Sequence, residues 1–289
     1  MQRKLHPLEG IVAMCALVLV LFLSVGFAQA QDVRKIALRS SVALVQDAET
    51  GEMVFGKNAD TVMPIASITK LMTAMVILDR GLDLEEEIVL SKEDAVGMKG
   101  SRSRLRSGLG ISRGDLLLLA LMSSENRAAA ALGHSYPGGL EAFVDAMNAK
   151  AAVLDMHESR FVEPTGLSPA NVSTAADLAK LVRAAHEYPL IREYSTKSRA
   201  TIRAASGRST RALNYGNTNG LVRSKYWDIE LSKTGYISEA GRCLVMHVRL
   251  AEKDLIVVLL DSWGKHSRVG DANRIRKWLE SGAGIGRSS

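Results

Sequence analysis

The chain has 289 residues, enough for one large domain or two small ones, and 47% are hydrophobic, ample for a core. Lys and Arg number 37 against 31 Asp and Glu, a net charge of +6 that alone decides no function. No internal repeat, low-complexity tract or Pro/Gly/Ser-rich linker divides the sequence, which predicts one compact unit with an internal helical lobe.

The chain opens on a targeting segment. Arg3 and Lys4 form a basic start, residues 11–27 are apolar, and Ala28-Gln29-Ala30 gives an A-x-A cleavage site. The expectation is a signal peptide over residues 1–30, cleaved after Ala30, followed by a single domain over 31–289. Of the two cysteines, Cys15 leaves with that segment, so no internal disulfide is expected. Cys243 lies in an apolar strand and reads as a buried thiol.

Residues 42–46 and 53–55 flank the turn-rich Asp47-Ala48-Glu49-Thr50-Gly51-Glu52 and read as a β-hairpin. Next comes Ser67-Ile68-Thr69-Lys70, at the first turn of an apolar run (71–78) that stops at Asp79-Arg80-Gly81. On a helix this spacing puts a hydroxyl and an amine on one face. Serine is a poor nucleophile without a base beside it, and lysine is a base only when burial or nearby positive charge lowers its pKa. Ser-x-x-Lys is common by chance, and a second copy, Ser262-Trp263-Gly264-Lys265, ranks lower because Gly264 interrupts its turn.

Residues 84–115 are mixed and polar, with a helix start at Ser91-Lys92-Glu93-Asp94. Arg102, Arg104 and Arg106 alternate there, as a solvated edge or as a substrate-facing basic patch. Ser112-Arg113-Gly114-Asp115 resembles a cap, and the apolar helix after it would deliver Ser124 and Asn126 at its C-terminal end with Glu125 pointing away from the site. Another helix starts at 128–131 and stops at Tyr136-Pro137-Gly138-Gly139, and a further amphipathic helix covers 140–154. Residues 161–174 form a loop, and Ser173-Thr174-Ala175-Ala176-Asp177 caps a helix to about residue 187. Residues 197–212 read as a mobile polar connection, and Asn217-Thr218-Asn219 either orients a peptide or makes a turn. Three antiparallel strands follow at 229–236, 243–250 and 255–261, then a helix at 268–280. The fold class is α+β: an antiparallel sheet flanked by helices, with an inserted helical lobe.

Ser67-Ile68-Thr69-Lys70, Ser124-Glu125-Asn126 and Lys233-Thr234-Gly235, in this order, resemble the signature of penicillin-binding proteins and serine β-lactamases. The stretch from Pro64 to Met75 resembles low-molecular-mass D-alanyl-D-alanine peptidases. Leu117-Leu118-Leu119-Ala120-Leu121-Met122-Ser123-Ser124-Glu125-Asn126, Phe161-Val162-Glu163-Pro164-Thr165-Gly166-Leu167 and Leu231-Ser232-Lys233-Thr234-Gly235-Tyr236 resemble the endopeptidase branch, penicillin-binding protein seven type. The similarity runs over residues 42–280. It implies a DD-peptidase fold with Ser67 as acylated nucleophile, Lys70 as its base and Ser124 as proton relay to the leaving amine. It also implies that Asn126 holds the substrate backbone, Lys233 lowers the Lys70 pKa by like charge and attracts the substrate carboxylate, and Thr234 bonds that carboxylate. Gly235 would allow close approach, and the N–H groups of Ser67 and Tyr236 would form the oxyanion hole. The implied activity is cleavage of D-alanyl-meso-diaminopimelyl cross-links of peptidoglycan in the periplasm, with β-lactams as covalent inhibitors.

Three other functions share parts of this pattern. A D-alanyl-D-alanine carboxypeptidase shares every catalytic residue, but typical ones carry a further β-domain and an amphipathic anchor, for which residues 281–289 are too short. A β-lactamase needs a deacylating carboxylate, and the Thr165-Gly166-Leu167 that follows Glu163-Pro164 fits the peptidase pattern, which leaves Glu163 no catalytic role. A non-catalytic wall-binding protein does not need all three motifs intact. No cofactor, metal or nucleic acid is expected: His134, His157, His186, His247 and His266 are scattered without a cysteine partner or a His-x-x-x-His pair. The basic charge leaves peripheral membrane association open.

Overall fold

The structure is a computed structural model, described here for residues 36–95, 103–207, 209–250, 252–264 and 266–282. The expected signal peptide with Cys15, as well as Arg102, Lys265 and residues 283–289, lies outside the described residues.

Strands β1 (Ser40–Asp47), β2 (Met53–Lys57), β9 (Asp228–Ile237), β10 (Gly241–Leu250) and β11 (Lys253–Ser262) form one antiparallel sheet in the order β2-β1-β11-β10-β9. Its strands read as apolar runs because both faces are covered. Val42, Leu44, Val245, Val258 and Leu260 face one core, whereas Ala43, Val45, Leu244, Met246, Val257 and Leu259 face a second core closed by Ala272, Ile275 and Trp278. Those last residues belong to helix α7 (Ser267–Glu280), so the expected final helix is the lid of one face.

The other face carries the helices α1 (Thr69–Asp79), α2 (Arg113–Met122), α3 (Asn126–His134), α4 (Gly139–Val153), α5 (Ala175–His186) and α6 (Pro189–Thr196). Helix α1 is buried at every position from Thr69 to Ile77, which is why its sequence lacks an amphipathic stripe. The Ser112 side chain caps α2 by accepting from the Asp115 N–H, and Thr174 caps α5 by accepting from Asp177 N–H.

Two small sheets complete the lobe. Strand β3 (Met63–Pro64) pairs with β6 (Val172–Ser173), and a four-stranded sheet runs β4 (Glu87–Val89), β5 (Gly110–Ser112), β7 (Arg199–Ser206), β8 (Ser209–Gly216).

Several expectations are corrected. Residues 197–212 are not a mobile connection but fall within a long hairpin, with Ile202, Ala204 and Leu213 buried and arginines outward. Alternation of small apolar residues with arginines hid it from a reading by hydrophobicity. Helix α6 was absent from the sequence reading; Pro189 starts it at the first helical position. The helix expected from Ser91 begins as a 3₁₀ turn, Glu93–Ala95, and residues 96–102 after it lie outside the described residues. Ser262, of the second Ser-x-x-Lys copy, ends β11 with its hydroxyl on Ser40.

Candidate active site

Ser67 sits in a 3₁₀ turn, Ala66–Ile68, that leads directly into α1. Two close approaches shape this turn. Gly166, at φ +78°, lies so near that a Cβ there would sit 1.9 Å from the Ala66 carbonyl oxygen. A Cβ on Gly235 would come 3.0 Å from the Ser67 nitrogen. Ala66 itself holds φ +48° and Ser124 φ +58°, left-handed conformations that side chains rarely adopt and that cost of order 1–3 kcal/mol each. The strain is concentrated where the chain presents Ser67 and Ser124.

Lys70 is fully buried one turn along the helix. Its Nζ donates to Ser67 Oγ at 2.8 Å, to Asn126 Oδ1 at 2.8 Å and to the Thr165 carbonyl at 2.5 Å. Burial lowers its pKa to about 7, against the opposing pull of the Glu163 and Glu125 carboxylates. A neutral amine keeps two N–H donors and one lone pair. The carbonyl and the amide oxygen can only accept, so the donors stay on them and the lone pair is left for the Ser67 hydroxyl. Lys70 is therefore built to take that proton.

Lys233, on β9, donates to Ser124 Oγ at 2.9 Å and to the Thr234 carbonyl at 2.8 Å. Its pKa lies well below the ordinary lysine value, first through burial, then through the charges of Lys70 and Arg268. Burial is the leading cause for both amines, and the Lys70 and Lys233 charges disfavour one another. Thr234 Oγ1 shares a 2.6 Å hydrogen bond with Thr218. Tyr236 follows, 57% exposed, with its ring 4.6 Å from the Arg242 guanidinium.

The turn between α2 and α3 brings Ser124 to Lys233 and Asn126 to Lys70, and leaves Glu125 buried. Glu125 is 9% exposed, accepts from the Ser103 hydroxyl, and has its pKa raised by burial. The short loop from Ser103 to Leu109, which Arg127 also holds through the Leu105 carbonyl, supplies that partner. Of the alternating arginines, Arg104 stacks 3.9 Å over the Tyr215 ring.

Glu163 has a structural part. Its two carboxylate oxygens accept from Thr165 N and Oγ1, Gly166 N, Ser168 N and Asn171 Nδ2. That folds the loop so that Thr165 offers its carbonyl to Lys70 and Gly166 packs on Ala66. Asn217-Thr218-Asn219 is a turn: Asn217 donates to the Ser195 and Lys197 carbonyls, and Asn219 bonds Ser232. Sequence reasoning placed Thr165, Gly166 and Thr218 in motifs without giving them these roles, and it missed Arg268, which donates to the Gly235 carbonyl at 3.0 Å. A glycine in the loop after Glu163 was the one local signal available for Gly166. Cys243 is buried as expected, its thiol pKa raised to about 11 by burial.

The arrangement can activate a serine hydroxyl, hold developing negative charge near Ser67 N, and bind an anionic group beside Lys233. A family model described as D-alanyl-D-alanine carboxypeptidase matches residues 28–264. The chain belongs to that family. It is a serine-type D-alanyl-D-alanine peptidase.

Among its relatives, a protein of Pseudomonas aeruginosa named D-alanyl-D-alanine endopeptidase is 51% identical over 245 residues, covering 85% of this chain and 78% of the relative. One of the same name from Escherichia coli K12 is 48% identical, covering 91% and 87%. The crystal structure of the Streptomyces K15 DD-transpeptidase superposes with a TM-score of 0.80 at 27% identity, over 86% of this chain and 99% of that one. A D-alanyl-D-alanine carboxypeptidase from Mycobacterium tuberculosis H37Rv gives 0.74 at 25% identity, over 85% and 92%. The DD-peptidase fold expected from the sequence is thus the fold of this family.

Proposed function

We propose that the protein is a periplasmic DD-endopeptidase that hydrolyses D-alanyl-meso-diaminopimelyl cross-links of peptidoglycan through an acyl-enzyme at Ser67. The carrying observation is Lys70, buried, with two obligate acceptors on its donors and Ser67 Oγ at 2.8 Å. Neutral Lys70 accepts the Ser67 proton as Oγ attacks the D-alanyl carbonyl. The N–H groups of Ser67 and Tyr236 take the developing oxyanion, a contribution of about 2.7–4 kcal/mol per donor. Lys70 then gives that proton through Ser124, which Lys233 holds, to the leaving amine, and is neutral again, while Thr234 and Asn126 hold the substrate strand. Water then attacks the ester, neutral Lys70 accepts its proton and hands it to the departing Ser67 Oγ, and both Ser67 and Lys70 are restored.

The same steps with a β-lactam leave a slowly hydrolysed acyl-enzyme. Glu163, bonded at both oxygens to its own loop, is not free to activate a deacylating water, which argues against a β-lactamase. Endopeptidase ranks above carboxypeptidase because relatives named endopeptidase are 51% and 48% identical, against 28–30% for those named carboxypeptidase. Export with cleavage after Ala30 completes the reading.

The test is incubation of the wild-type protein and its Ser67→Ala variant with purified cross-linked muropeptide dimers, read by mass. Conversion of dimer to monomer by wild type alone is expected. Loss of one terminal D-alanine with the dimer intact would move the assignment to carboxypeptidase.

A further inference from the structure

Residues 194–227 hold seven Lys and Arg and no Asp or Glu. The middle of this stretch folds into the β7-β8 hairpin, with β8 as the outer strand of its sheet. Strand alternation sets Arg199, Thr201 and Arg203 on one face, opposite Gly216, Asn214 and Ala212. A glycine and an alanine therefore face the two arginines, and neither can cover or pair with a guanidinium. Arg211 stands opposite Ala204 on the other face and adds a further exposed charge at the edge.

Arg199 and Arg203 are exposed, and neither side chain has an ion pair or hydrogen bond among the described residues. Of the acids that border the hairpin, Glu193 pairs with Lys197, and the Glu87 carboxylate lies over Gly110 of β5. The surface is thus of one sign, and such a field draws in anions. Four residues of strand set the two arginines roughly 13 Å apart, too far to share one small anion. The fitting partner is a polymer with charges at intervals. A lipid surface fits less well, because docking on one takes an apolar face. No large hydrophobic side chain is exposed on the hairpin among the described residues, and Ser206, Gly207 and Ser209 at its tip are small or polar. Strand β8 ends at Gly216, two residues before Thr218, whose hydroxyl bonds Thr234 at 2.6 Å. The basic face is therefore continuous with the rim of the active site.

We propose that Arg199 and Arg203 form a docking surface for polymeric peptidoglycan, holding free carboxylates of stem peptides other than the one being cut. The proposal rests on the reading of the protein as a peptidoglycan peptidase. The arginines touch no reacting group. Their contribution is a second point of attachment, which raises the effective concentration of cross-links at Ser67 on an intact wall. A soluble dimer, with few carboxylates and no neighbouring strands, gains little from it. The attachment is electrostatic and exposed, so salt screens it.

The experiment measures co-sedimentation of Ser67→Ala protein, which cannot turn over, with purified sacculi across a series of sodium chloride concentrations. Adding Arg199→Ser and Arg203→Ser should raise the dissociation constant at low salt at least about threefold and flatten its salt dependence. Arg199→Lys with Arg203→Lys should keep the binding, since the charge is retained. With Ser67 intact, the serine pair should cut soluble muropeptide dimers and react with a β-lactam within about twofold of wild type, while release of fragments from intact sacculi falls. Equal sedimentation of the serine pair and its parent overturns the proposal. So does an equal loss of rate on dimers and sacculi, or an arginine-dependent binding seen with anionic phospholipid vesicles and not with sacculi. Arginine-dependent binding to sacculi by a protein that leaves dimers uncut would refute the endopeptidase reading and uphold the docking surface.

Discussion

At the scale of single residues, the chemistry turns on the protonation of Lys70. Its pKa of about 7 means that the acylating form gains population as pH rises through neutrality. The rate of acylation by a chromogenic β-lactam should climb with pH through about 7 and fall about tenfold per unit well below it; a rate flat across that range would remove Lys70 as base. Replacing it with arginine, which stays protonated, should lower the rate by about 10²–10⁴-fold. Glu125 gives a finer test. Its carboxylate raises the Lys70 pKa, and glutamine keeps an oxygen for the Ser103 hydroxyl. Glu125→Gln should therefore move the acid limb of the acylation profile to lower pH, and an upward or absent shift would show that the two groups are uncoupled. The motif residues were readable because their spacing is local. The burial of Glu125 and the source of the Lys70 shift were not, because both depend on segments far away in sequence.

At the scale of elements, the turn bearing Ser67 is held between the loop of Glu163 and strand β9. A Cβ at position 166 would meet the Ala66 backbone at 1.9 and 2.3 Å, and the φ of +78° disfavours any side chain. At position 235 the neighbours stand at 3.0–3.1 Å, near enough to yield by a few tenths of an ångström. Gly166→Ala should displace Ser67 and lower the acylation rate by about 10²-fold, the cost of misplacing reacting groups by about 1 Å. Gly235→Ala should cost less, and comparison of the two second-order rate constants decides the order. The sequence located this loop, and its Thr165-Gly166-Leu167 carried the family likeness. That Thr165 would bond Lys70, however, follows from a fold of the loop set by Glu163 accepting hydrogen bonds at both oxygens. Helix α6 and the β7-β8 hairpin escaped the sequence for a related reason: few of their residues are buried, and contacts with α2, β5 and β9 define them more than pattern does.

At the scale of the whole molecule, the central sheet is closed by pairing the first strand with the last. Strand β1 lies against β11, and α7 must dock on the same face for the second core to form. Asp271 of α7 makes that closure specific. It is fully buried and accepts from Arg39 N at 3.1 Å, Ser40 N at 2.7 Å and Ser40 Oγ at 2.6 Å, with Arg274 at 2.6 Å supplying the opposite charge. Removing the carboxylate strands two backbone donors and a hydroxyl, at about 1–3 kcal/mol for a group left unsatisfied and about 3–5 kcal/mol together, while Arg274, 40% exposed, stays solvated. A domain of this size loses about 2–4 °C in melting temperature per kcal/mol, so Asp271→Ala should melt about 6–20 °C lower. Two strands, β11 and β10, separate β1 from β9. Below the transition, the variant's acylation rate per folded molecule should therefore stay within about twofold of wild type, because the pairings that set Ser67, Lys70 and Lys233 do not pass through β1. An unchanged melting temperature would mean that apolar packing of Ile275 and Trp278 alone holds the helix, and a lost rate would mean that closure of the sheet reaches the site.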